Sequence, residues 1–165
     1  MQADDTLAWD VLKLLHRHYG QLGDTDKLLE LDSRYQQYKL IATLAREERN
    51  ALETSDVFLP HDLTPAELVE TIALLAAEPE IRTASLVRKT VKHLPQQPCF
   101  VLRLDTGDDG RSWPNDDAVQ NMLVKLVKQI KLPGSTHIFV ANESNQAVGK
   151  TILAVPGSTI YHRNP

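Results

Sequence analysis

The sequence predicts an α+β protein, a two-layer sandwich of β-α-β-β-α-β order preceded by an N-terminal helical hairpin. Three observations carry that reading. The first third of the chain shows only helical periodicity. The remainder alternates short β-branched runs with amphipathic stretches, and Pro and Gly punctuate the joins. The 165 residues therefore divide into a hairpin over 1–55 and a sandwich over 56–165. A chain of this length with 42% apolar residues can bury a core without staples, and Cys99 is its only cysteine.

The first helix is expected to start at a Thr6 cap and to carry Leu7, Val11, Leu14, Leu15 and His18, with Gly20 and Gly23 ending it. Asp24 or Thr25 starts a second helix that meets no Gly or Pro before about Leu52. Its stripe of Leu28, Leu31, Tyr35, Tyr38, Ala42, Ala45 and Leu52 steps by three and four, as a heptad does, with Arg49 breaking the seam. Two readings follow: a hairpin packed on the rest of the protein, or a dimerising or tethering helix, since so long a helix outruns most single-domain faces. Residues 56–59 form a short strand stopped by Pro60. Thr64, Pro65 and Glu67 make a capping box with Pro at the first helical position, opening a helix with Leu68, Ile72 and Leu75 inward. Residues 81–94 and 99–104 read as an antiparallel hairpin with a four-residue loop over 95–98. A further helix shows Val119, Met122, Leu123, Leu126 and Ile130, capped by Asn115 or Asp116. His137 to Ala141 is the next strand, and 152–161 is a helix-then-strand or irregular tail. The second sheet face is expected to be covered by the N-terminal hairpin.

Charge is segregated although the total is only −4. Residues 56–81 hold six acids and no Lys or Arg, and 82–104 hold five bases and no acid. Acid returns over 105–117. Such blocks create local fields. The basic block supplies the expected interaction surface: Arg88, Lys89, Lys92 and His93, joined by Tyr35 and Tyr38 of the long helix. An RNA-binding module built on 82–93 is one alternative function, but the acidic total and the lack of a strand-borne aromatic run argue against nucleic acid. A small enzyme using the acidic loop 105–117 with a histidine is the other. That loop partly follows a calcium-loop spacing, with Gly110 sixth and Asp116 twelfth when Asp105 is counted as first, but Gly107 stands where a ligand belongs.

The spacing yields no catalytic residues, metal ligands or cofactor site. Ser144 to Thr151 ends in Gly-Lys-Thr like a phosphate-binding loop, yet Ser144 replaces the first glycine and only fourteen residues follow, so no nucleotide is expected and a polar turn is. His16 and His18 point to different helix faces, and Cys99, between strand residues, reads as a buried apolar group. No apolar run reaches the ~18 residues of a membrane span. Met1-Gln2-Ala3-Asp4-Asp5 has no secretory pattern, so a cytoplasmic setting is expected.

The segment from Tyr19 through Gly23-Asp24 to Leu28 and Tyr35 resembles one tetratricopeptide-type helix pair. Over residues 62–163 the chain runs Leu63-Thr64-Pro65, a helix, Glu80 to Val87, Pro98 to Leu102, Leu132-Pro133-Gly134 before Ile138-Phe139-Val140, and a close at Val155 to Tyr161. This order resembles the C-terminal domain of the enhanced serine sensitivity protein B family. The resemblance implies a fold and a bacterial cytoplasmic setting, and carries over no activity or site residue. The expectation is a non-enzymatic protein-interaction or regulatory module, compatible with the soluble part of a larger bacterial protein, that meets a protein partner or self-associates through the long helix.

Overall fold

A computed structural model describes residues 3–107 and 117–163, with side chains from residue 10 onward. The chain divides into two compact units, Met1–Glu48 with Lys92–Gln97, and Arg49–Val91 with Pro98–Pro165.

The first unit is built on two helices, α1 (Ala3–Leu22) and α2 (Thr25–Asn50). Thr6 lies within α1 and is not its cap, because the helix starts three residues earlier. Gly23, at φ 69°, makes the turn between the helices. The side chain of Asp24 accepts from the Lys27 backbone N–H at 3.1 Å, so this residue caps α2. The heptad stripe of α2 is its sheltered face: Leu31 and Ala45 are buried, and Leu28, Tyr35, Tyr38 and Ala42 are half-buried.

The second unit is a mixed α+β fold around one five-stranded sheet. Its elements are β1 (Phe58–Leu59), α3 (Pro65–Ala77), β2 (Thr83–Lys89), β3 (Cys99–Asp105), α4 (Asp117–Gln129), β4 (Ser135–Val140), a short 3₁₀ turn (Glu143–Asn145), α5 (Gln146–Leu153) and β5 (Thr159–His162). The order is thus longer than β-α-β-β-α-β, because the expected tail is a complete helix and strand. β1 and β5 share one edge of β2, both antiparallel to it. β2 pairs antiparallel with β3, and β3 pairs parallel with β4 across the α4 crossover.

Strand alternation sorts the core into two faces. Ala84, Leu86, Phe100, Leu102, Leu104 and Val140 face α3 and α4, meeting Leu68, Leu75, Val119, Met122 and Leu126. Val87, Val101 and Phe139 point to the other face, where Val148 and Ile152 of α5 cover them with Phe58. The two-layer expectation therefore needs correction. Residues 146–153 form a helix with its own apolar side, and that side closes the second face.

The α3 start matches its capping box: the Glu67 N–H donates to Thr64 Oγ1 at 3.4 Å, and Glu67 Oε2 accepts from the Thr64 N–H at 2.8 Å. At the other end Arg163 donates to the carbonyls of Ile81 at 3.0 Å, Ala76 at 3.2 Å and Glu78 at 2.8 Å, satisfying groups that α3 leaves unpaired.

Candidate interaction surface

The β2–β3 connection is longer than the expected four-residue loop. β2 ends at Lys89, and Lys92 and His93 fall in the loop. Glu48 is the reason. Its carboxylate accepts from the Lys92 N–H at 2.7 Å, the His93 N–H at 3.0 Å and the His93 ring Nδ1 at 3.1 Å. These backbone groups bond to a helix side chain in place of a strand ladder. Burial works to raise the Glu48 pKa, but the backbone donors and His93 outweigh it and hold the carboxyl below its ordinary value.

The expected basic surface is dispersed. Arg88 and Lys89 point to opposite faces of β2. Arg88 is half-exposed and pairs with Asp62 at 2.9 Å. Lys89 is only 4% exposed. Its ammonium lies 2.8 Å from the Asp56 carboxylate and donates to the Ala51 carbonyl at 2.8 Å. Lys89 is thus a buried, compensated charge and not a surface contact, because the period of two in a strand turns alternate residues inward. Tyr35 and Tyr38 stand on the sheltered stripe of α2, and Tyr35 lines a shallow groove with Leu12, His16 and Leu31.

What sequence reasoning misplaced is the apolar surface. Among its described side chains, Leu12 and Tyr19 are the half-buried positions of α1, and His16 meets Asp32 of α2 at 3.3 Å. The predicted α1 stripe points elsewhere: Val11 is 45% exposed, Leu14 61% and Leu15 37%, with Leu7 outside the described side chains; Leu22, beyond that stripe, is 65% exposed. On α2, Leu29, Leu40 and Ile41 are exposed as well. Single exposed leucines need no explanation, but a periodic set on one helix does. A periodic stripe in sequence signals a face needing cover without saying which neighbour supplies it.

Cys99 is 1% exposed, and burial pushes its thiol up against an opposing hydrogen bond from Ser135 and the charges of Arg49 and Lys89. A buried, protonated thiol is chemically quiet. Asp108, Asp109 and most of the acidic loop lie outside the described residues, as do the α4 cap candidates Asn115 and Asp116. Among the described residues no group of three or more His, Cys, Asp or Glu is placed to hold a metal ion, and no helix is long and apolar enough to cross a membrane. Gly149, Lys150 and Thr151 are helical residues of α5, not a loop. Comparison with family models, with curated proteins and with solved structures finds no match for this chain.

Proposed function

We propose that this chain is a protein-interaction module that self-associates through α1, pairing antiparallel with the α1 of a second copy. The observation that carries the reading is the direction of the α1 stripe. Val11, Leu14, Leu15 and Leu22 recur at helical spacing and stay exposed, while Leu12 and Tyr19 take the sheltered side. Charge order along the helix selects the occupant. Asp4, Asp5 and Asp10 stand in its first half and Lys13 and Arg17 in its second. Antiparallel pairing about a two-fold axis sets each acidic half beside a basic half, whereas parallel pairing sets like beside like. A 20-residue helix is about 30 Å long, enough to seed an isologous contact of ordinary size.

Sedimentation of the full chain from about 1 to 200 μM is the test, a range that brackets micromolar association. The expected result is a dimer at the upper end that weakens as salt rises. Leu14→Asp, at an exposed position that leaves folding intact, is expected to weaken the dimer at least tenfold. A monomer at every concentration, or a dimer indifferent to Leu14→Asp, overturns the reading. Retention on a polyanion column with a steep salt dependence instead favours RNA binding.

A further inference from the structure

We infer that the second unit carries a binding site for a small anionic molecule, one bearing a carboxylate or phosphate group, in the cleft at the carboxyl ends of β3 and β4. Topology comes first. β3 and β4 are adjacent parallel strands, and the helices that follow them, α4 and α5, pack on opposite faces of the sheet. Chains leaving neighbouring strands in opposite directions open a crevice beyond the strand ends, and ligands of open α/β sheets bind in such crevices. Here the crevice is a cleft of about 440 Å³, a volume in the small-molecule range. Arg103, Asp105, Gly107, Asn142, Gln146 and Lys150 are among the residues lining it.

Arg103 is the second, independent observation. It is 9% exposed, within the otherwise apolar central strand β3. One terminal nitrogen is held by Asp105 at 2.9 Å, but Nε is buried with no hydrogen-bond partner among the described residues. Ser85, directly across from Arg103 on β2, has a buried Oγ that likewise lacks one. Orphaned polar atoms of this kind cost about 1–3 kcal/mol each, and two on one cross-strand pair call for a missing acceptor. The fold also makes room for this guanidinium. A Cβ on Gly149 would stand 3.1 Å from Arg103 Nε, so α5 keeps a helix-weakening glycine where the arginine passes beneath it.

The charges facing the cleft select an anion. Asp105 is occupied by Arg103 and by the Gly107 N–H at 2.9 Å. Lys150 is exposed on the lining, and its ammonium makes no ion pair or hydrogen bond with the described residues. Glu143 lies on the exposed rim. Arg103 and Lys150, both on the lining, thus offer two cations to one ligand group, and the Gln146 amide adds hydrogen-bonding capacity.

The test is an NMR titration of the ¹⁵N-labelled full chain with inorganic phosphate in one arm and succinate in another. Sodium chloride at matched ionic strength is the control. The expected result is a saturable shift of the Arg103 Nε–H signal and of the amides of 142–150. Lys150→Gln, at a solvent-exposed position, is expected to weaken it at least fivefold while preserving the remaining spectrum. Saturation by phosphate alone assigns a phosphoryl ligand, and by succinate alone a carboxylate. If neither saturates, if chloride gives the same shifts, or if Lys150→Gln leaves the curve unchanged, the site is overturned.

Discussion

His137 shows how position in a strand sets the behaviour of one side chain. It lies on the α5 side of β4, aligned with Val101 of β3, and its ring meets Phe139 at a centroid distance of 6.4 Å. Burial lowers its pKa, and the positive charge of Lys89 lowers it further. The sign of the consequence follows from linkage. The unfolded chain takes up a proton at this residue near the ordinary value of about 6.5, and the folded chain only at lower pH. The neutral ring therefore contributes stability that is present above about 6.5 and is lost as pH falls through the lower folded value. Urea unfolding at pH 7.5 and pH 5.5 is expected to show a smaller drop for His137→Asn than for the parent chain. Equal drops would show that His137 does not set this limb. The histidine itself was visible in sequence, but its shift was not, because the burial and the Lys89 charge come from other strands.

At the level of elements, local chemistry was legible wherever neighbours in sequence complete one another. Thr64, Pro65 and Glu67 define the start of α3 by bonds spanning only three residues. Thr64→Ala is expected to cost about 1 kcal/mol, read as a lower urea midpoint with an unchanged slope. A change in slope would point instead to a disturbed α3 packing. β2 was harder to delimit. Its Val, Thr and Leu content runs on past Lys89, yet Glu48, more than forty residues earlier, takes the Lys92 and His93 amides. α5 was missed for a related reason. Gly149 and Thr151 weaken a helix in isolation, and Val148 and Ile152 form it by burying against the sheet.

Across the whole molecule, buried apolar residues are unevenly shared. Among the described residues, Leu31 and Ala45 alone represent the first unit in this set, and the rest belong to the second. Local stability follows contact with a core, so the units are expected to open at different free energies. Native-state hydrogen exchange should show the amides of α1 opening several kcal/mol below those of Val101 and Leu102 in β3. The proposed association through α1 predicts that this gap narrows as protein concentration rises, because a contact made only by the folded helix stabilises it by mass action. Coincident exchange across α1 and β3 would show that the chain opens as one cooperative block.

The sequence by itself determined the helical N-terminal third, the α+β character of the remainder, the α3 cap and the inward stripes of α2, α3 and α4. Each rests on periodicity or on bonds between near neighbours, which any local window contains. Tertiary structure alone decided that Lys89 turns inward to Asp56, that the α1 stripe stays exposed, that β4 runs parallel to β3 and that α5 closes the second face. It also decided that Arg103, an interruption in an apolar run, lies beneath Gly149. Those outcomes depend on which strand pairs with which and on the face each residue then occupies. Pairing free energy arises between segments far apart in the chain, so no local pattern records it.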